Sequence, residues 1–291
     1  MIRASIVALV TPMQLNGAID YDRLDALIEW HLQNKTNGLV ILGTTGESAT
    51  IANDEREKII RHAITTVNHR IPVIVGVGSN ATAETIARTE EAKKLNADAV
   101  LIVTPYYNKP TQEGLFQHFS AIANISIAQI LYNVPSRTAC DLLPETVARL
   151  SVFSNIIGVK EATGDMQRLQ KLLSLCPSLD YFSGDDKTAM EFILQGGKGV
   201  ISVAANVVPQ KIHALCDAAL TGDRLRAESI NQSLEKLYHA LFVESNPIPT
   251  KWALAKMSLI QLGIRLPLTP LNVAHQPTVS AAIEEVLCDV L

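Results

Sequence analysis

The chain has 291 residues, 47% of them hydrophobic, enough to bury a substantial core as one large domain or two small ones. Its formal net charge of −4, with the basic residues scattered, gives no support to a nucleic-acid or polyanion partner. No apolar stretch approaches the ~20 residues that cross a bilayer, no basic-then-apolar leader opens the chain, and Pro12 interrupts the first apolar run, so a cytoplasmic protein with no membrane partner is expected.

The first short apolar run is Ile6–Val10, followed by the amphipathic stretch Tyr21–Gln33 and a second run, Leu39–Leu42. Asn53 or Asp54, ahead of Glu57, marks a helix start for Asp54–Val67. A third run, Val73–Val77, leads to Ser79, which is placed to start a helix carrying Ala83–Lys94. Ala99–Val103 and Ala128–Tyr132 come next, then an amphipathic stretch over Pro144–Leu150. The runs Ile156–Val159, Tyr181-Phe182 and Val200–Val203 bring the number to eight. Rich in Val and Ile, and continuous rather than alternating, such runs suit parallel strands covered on both faces. Their recurrence every 20–35 residues or about that fits one strand-helix unit each time.

Eight such units favour an α/β fold of the closed (β/α)8 TIM-barrel type over an open doubly wound sheet, and no Gly-x-Gly-x-x-Gly follows the first run. Residues 1–222 are read as the catalytic barrel, with Pro209–Leu220 as its last partner helix. Residues 223–291 are read as a C-terminal helical extension packed on it, built from Asp223–Val243, Pro249–Leu262 and Thr278–Val290. Cys140, Cys176, Cys216 and Cys288 are widely spaced and without a Cys-x-x-Cys pair, which reads as reduced, buried thiols. The seven histidines (31, 62, 69, 118, 213, 239 and 275) lack the paired spacing of a metal site.

Residues just past the C-terminal ends of barrel strands share one mouth, where such barrels place their chemistry. Lys160 ends the sixth run, where an ammonium is expensive to desolvate and a neutral amine is a good nucleophile towards carbonyls. Alone, it reads more readily as a strand-end lysine snorkelling to solvent. Gly43-Thr44-Thr45-Gly46, past the second run, has the composition of a carboxylate cradle, with glycines for close backbone approach and two hydroxyl donors; the plain alternative is a turn with a threonine N-cap. Tyr107, Tyr132 and Thr44 could form a hydroxyl relay, since positioned acid–base groups are worth roughly 10²–10⁴ in rate. Tyrosines serve as often as amphipathic rim residues. Arg137, in the turn Pro135-Ser136-Arg137-Thr138, offers a planar fork suited to a carboxylate, or equally to a surface ion pair.

Four motifs occur in order: Gly43-Thr44-Thr45-Gly46-Glu47, Thr104-Pro105-Tyr106-Tyr107-Asn108, Tyr132-Asn133-Val134-Pro135-Ser136-Arg137-Thr138 and Gly158-Val159-Lys160-Glu161. With Phe182-Ser183-Gly184-Asp185-Asp186 further on, the chain resembles the dihydrodipicolinate synthase family, pyruvate-dependent barrels of the class I aldolase type, over essentially its whole length. The resemblance implies a lyase that condenses pyruvate with L-aspartate 4-semialdehyde on the diaminopimelate route to lysine. It implies that Lys160 forms a Schiff base with pyruvate, that the Thr44 and Thr45 turn holds pyruvate's carboxylate, and that Tyr132 shuttles protons through Thr44 to a Tyr107 inserted from a neighbouring subunit. Arg137 would bind the carboxylate of the semialdehyde, and Gly184 and Ile201 would line the pocket, Ile201 through its main-chain carbonyl. No cofactor is implied, since the lysine itself is the electron sink.

The resemblance also implies a homotetramer of two tight dimers, with L-lysine as an effector in a cleft near Ser48, Ala49, Asn80, Glu84 and Tyr106. The chain departs from the histidine-containing pattern there, with Asn53 and Arg56 on the adjoining loop; Arg56 would repel a cationic effector, so inhibition by lysine is expected to be weakened or altered. An alternative is a related Schiff-base lyase acting on N-acetylneuraminate or a 2-keto-3-deoxy sugar acid, whose hydroxyl-rich substrates need a more neutral pocket without an arginine at position 137. A non-catalytic keto-acid sensor is a third reading, and it would tolerate loss of Lys160.

Overall fold

The computed structural model describes residues 2–288. Eight strands, β1 (Ala4–Ala8), β2 (Gly38–Ile41), β3 (Val73–Gly76), β4 (Ala99–Val103), β5 (Ala128–Asn133), β6 (Ile156–Glu161), β7 (Asp180–Ser183) and β8 (Gly199–Ser202), pair in chain order. All pairings are parallel, and β8 returns to β1 through Ala4 opposite Gly199, which closes the (β/α)8 barrel. Successive side chains point to opposite faces of a strand. Ile6, Ala8, Val40, Leu101, Phe182 and Ile201 therefore fill the barrel interior. Their neighbours Val7, Leu39, Ile41, Val100 and Val200 pack outward against the helices. Both faces are dry, which is why the strands read as unbroken apolar runs.

Helices cover the outside at Tyr21–Gln33, Asn53–Val67, Thr82–Lys94, Gln112–Ala123, Pro144–Leu150, Met166–Leu175, Ala189–Leu194 and Pro209–Leu220. Two starts differ from the sequence reading. Ala52, not Asn53 or Asp54, is the N-cap of the second helix, and the Glu55 carboxylate accepts its N–H at 3.0 Å. Ser79 is not the cap of the third helix, because its hydroxyl is drawn away to donate to Glu84 at 2.5 Å and the helix begins after Ala81. Asn53 and Arg56, expected on a loop, both lie within the helix Asn53–Val67.

After the last barrel helix, the Asp223 carboxylate accepts the Arg226 N–H and starts a helix over Arg224–Ala240. Further helices span Ile248–Lys256 and Gln276–Cys288. The second ends well before Leu262, where Ser258 takes a left-handed φ of 61°. The last was expected to run to Val290; Asp289 and Val290 lie outside the described residues. Cys140, Cys176 and Cys216 are buried free thiols, whereas Cys288 is exposed on that final helix and corrects the expectation for all four. No helix among the described residues is long and apolar enough to cross a membrane.

Candidate active site

Hydrogen-bond register fixes the central pair. β5 and β6 place Tyr132 beside Lys160 and Asn133 beside Glu161. Alternation turns the first two inward and the second two outward. Lys160 Nζ lies 4.3 Å from the centroid of the Tyr132 ring, and both residues are buried. The outward pair is pinned by charge: Asn133 Nδ2 donates to both oxygens of the buried Glu161, at 3.3 and 3.1 Å. Arg168 Nε donates to Glu161 at 2.7 Å, and its two terminal nitrogens grip Asp141 at 3.1 and 2.8 Å. Bidentate, charge-assisted contacts of this kind restrict geometry as well as adding energy. The strand ends that carry the amine and the phenol are thus held from outside.

A cavity of about 180 Å³ opens over this pair. Gly43, Thr44, Thr45, Tyr132, Arg137, Lys160 and Gly184 line it. Gly184 is required by space, since a Cβ there would stand 2.9 Å from Lys160 Cε and 2.6 Å from Ala162 Cβ. The cradle turn is anchored from the C-terminal segment. Glu47, buried and left-handed at φ 56°, pairs with the buried Lys251 amine, and its other oxygen accepts the Arg265 N–H at 3.1 Å. Burial pushes the Lys251 amine's pKa down, and the Glu47 charge opposes that shift. Asn246, also buried, donates from Nδ2 to Thr45 Oγ1 at 2.9 Å. The carbonyl of the same Asn246 accepts from Arg137 Nη2 at 3.3 Å.

Neither Tyr107, expected to reach a neighbouring subunit's site, nor Ile201 lines this cavity. Tyr107 is 88% exposed at a φ of 76° and lines neither of the two cavities at the strand ends. Among the described residues no hydrogen bond links it to Thr44 or Tyr132. The Ile201 side chain packs in the inner core, and Val203, two positions on, lines the cavity. Phe242, Asp185 and Asn246 also line the cavity without having been singled out. Asp185 was visible within its motif; Asn246 had no local signal, being 201 positions from the hydroxyl it holds.

A wider cavity of about 610 Å³ adjoins the first, and Thr44, Val134, Arg137 and Asn246 line both. Ser48, Ala49, Glu84 and Tyr106 line it, while Asn80 does not; the Asn80 carbonyl instead accepts from Asn108 Nδ2 at 2.9 Å. Glu84 is already engaged, by Arg88 at 2.5 Å and by Ser79. Arg56, on the buried face of the helix Asn53–Val67, does not line this cavity; it donates from Nη2 to the Gly76 carbonyl at 2.8 Å and leaves Nε and Nη1 without a partner. Burial, then the neighbouring Arg88, lowers its pKa to about 10, which leaves it cationic at neutral pH. No group of His, Cys, Asp and Glu side chains among the described residues could hold a metal ion.

A closed parallel barrel with a buried lysine amine, a phenol, a hydroxyl-bearing turn and an arginine around one small cavity at its strand ends is a barrel of the Schiff-base aldolase class. Comparison with known proteins narrows this. The model of the Dihydrodipicolinate synthetase family matches residues 1–286. The 4-hydroxy-tetrahydrodipicolinate synthase of Coxiella burnetii is 61% identical over 287 residues, covering 98% of this chain and 99% of that protein. The chloride-inhibited dihydrodipicolinate synthase of Acinetobacter baumannii, solved in complex with pyruvate, superposes with a TM-score of 0.97 at 47% identity, over 98% of this chain and 99% of that one. A monomeric dihydrodipicolinate synthase variant superposes at 0.95 with 40% identity, over 98% and 96%. The chain belongs to the dihydrodipicolinate synthetase family.

Proposed function

We propose that the chain condenses pyruvate with L-aspartate 4-semialdehyde to give 4-hydroxy-tetrahydrodipicolinate, a lyase step towards diaminopimelate and lysine. The observation that carries this reading is the Lys160 amine, buried at the floor of a cavity suited to a small acid and 4.3 Å from the Tyr132 ring. Lys160 Nζ adds to the ketone carbon of pyruvate, and water leaves to form an iminium. The pyruvate carboxylate rests on the Thr44-Thr45 turn. The iminium draws electrons from the adjacent methyl group, and Tyr132 relays the proton that departs. The resulting enamine attacks the aldehyde of the second substrate, whose carboxylate pairs with Arg137. The semialdehyde's amino group then closes on the iminium carbon and displaces Lys160, which returns as the free amine. Arg137 on the cavity wall favours this acceptor over a polyhydroxylated sugar acid.

Trapping tests the reading directly. Wild-type protein incubated with pyruvate and borohydride should gain a covalent adduct mapped to Lys160. Lys160→Ala should give no adduct and lose activity by on the order of a thousandfold or more. Product formed by that variant at the wild-type rate would overturn the reading.

The exposed Tyr107 supports pairing with a second copy, each offering this phenol to its neighbour's relay, within the homotetramer of two dimers that the resemblance implies. The wider cavity is read as the place of an L-lysine effector, with a weak response. Glu84, the carboxylate available to the effector's ammonium, is already paired with Arg88, and the buried cationic Arg56 lies within electrostatic range of both. Titration with millimolar lysine should leave most of the activity; full inhibition at micromolar lysine would refute this.

A further inference from the structure

The segment between the helices Arg224–Ala240 and Ile248–Lys256 belongs to the C-terminal extension, yet it delivers one buried polar residue to both cavities. Asn246 is 5% exposed, and each of its polar groups with a partner meets a different structural unit. Its Nδ2 donates to Thr45 Oγ1 at 2.9 Å. Its Oδ1 accepts from Thr250 Oγ1 at 3.4 Å, and its main-chain oxygen accepts from Arg137 Nη2 at 3.3 Å. A buried amide is costly unless its donors and acceptors are matched, so this set of contacts fixes the side chain's orientation.

The direction of the Thr45 contact has a chemical consequence. A hydroxyl has one proton to give and two lone pairs to receive with. When Asn246 supplies the donor, the Thr45 proton is free to point into the cavity, towards an anion. When the partner at position 246 can only accept, Thr45 must spend its proton there and presents lone pairs to the anion instead. We propose that Asn246 is a positioning residue that sets the Thr45 hydroxyl as a donor to the keto-acid carboxylate and, through its carbonyl, aims Arg137 at the second substrate. One residue of the extension thereby holds a contact for each of the two substrates. This inference rests on the functional reading above.

The experiment uses the full-length enzyme and four substitutions, with steady-state kinetics in both substrates and borohydride trapping of pyruvate. Asn246→Asp keeps the shape but removes the donor and adds a negative charge. It should raise the KM for pyruvate on the order of a hundredfold and recover part of that loss as pH falls and the new carboxyl is protonated. Asn246→Ala should raise the same KM by on the order of tenfold, with trapping still located at Lys160 when pyruvate is saturating. In a Thr45→Val background, Asn246→Ala should add less than twofold, because both changes remove one contact. Asn246→Val, which also removes the donor but fills more of the space, stands in for the alanine variant if that one does not fold. Active wild-type protein whose Asp and Ala (or Val) variants keep the wild-type pyruvate KM would overturn the role of Asn246 alone. Wild-type protein that neither traps pyruvate nor turns over would instead sink the functional reading beneath it. Equal losses from Asn246→Ala in the wild-type and Thr45→Val backgrounds would also overturn the inference, since the residue would then act by another route.

Discussion

Gly184 shows how far a single hydrogen atom can decide the chemistry. Its backbone sits in a region open to any residue, so an alanine there meets no torsional penalty, only the Lys160 and Ala162 side chains at 2.9 and 2.6 Å. Ala162 Cβ is fixed to the backbone and cannot swing aside, whereas the lysine stem can. Gly184→Ala should therefore displace the amine: kcat/KM for pyruvate is expected to fall ten- to a hundredfold or about that, while overpacking lowers stability by about 1–3 kcal/mol. A variant with unchanged kinetics and an unchanged melting temperature would show that the cavity floor has slack. At this scale the sequence was informative wherever a residue ended a strand. Lys160, Thr45, Arg137 and Gly184 each follow an apolar run by a few positions and share one mouth as a result. Asn246 follows no strand, and Ser245-Asn246-Pro247 reads as an ordinary turn, so only the fold could bring it to Thr45.

Between elements, the most consequential joint is the ion pair of Glu47 and Lys251, both nearly inaccessible to water. It ties the cradle turn after β2 to the helix Ile248–Lys256. Removing one partner of such a pair strands the other charge in a dry site, which typically costs about 3–5 kcal/mol. Lys251→Met should lower the unfolding free energy by about that amount in urea titrations, and Lys251→Met combined with Glu47→Gln should recover part of the loss. A single variant as stable as wild type would mean that water reaches Glu47 after all. Glu47 was legible as the last letter of a motif, but its task was not. Nothing in the apolar stripe of residues 249–262 separates a buried, paired lysine from a surface one, because periodicity reports which face is dry and not which charges are matched across it. The two misplaced helix starts have a similar origin: Ser79 has the composition of a cap, and Glu84 competes for its hydroxyl.

For the molecule as a whole, eight Val- and Ile-rich runs at even spacing were enough to indicate the barrel, since strands dry on both faces leave an unbroken apolar signal. The packing that dries those faces also buries ionisable rings. His118, on the helix Gln112–Ala123, has its pKa lowered by burial to about 4, and His31 to about 3. Both rings are neutral in the folded chain, while in the unfolded chain they take up protons below about pH 6.5. Their contribution is thus fully present above that pH and is lost as acidity increases towards pH 4 and below. For His118 the shift corresponds to about 3 kcal/mol. His118→Gln should flatten the decline of urea midpoints between neutral pH and about pH 4 relative to wild type; parallel curves would reject the assignment. The register of β5 against β6 carries a last consequence. Nucleophile and phenol face each other across neighbouring strands of a closed sheet, whereas Arg137, which meets the acceptor, rides on the short helix Pro135–Thr138 outside it. Laboratory selection for a new aldehyde partner should accordingly gather its changes at residues 135–138, leaving the iminium-forming half of the machine untouched.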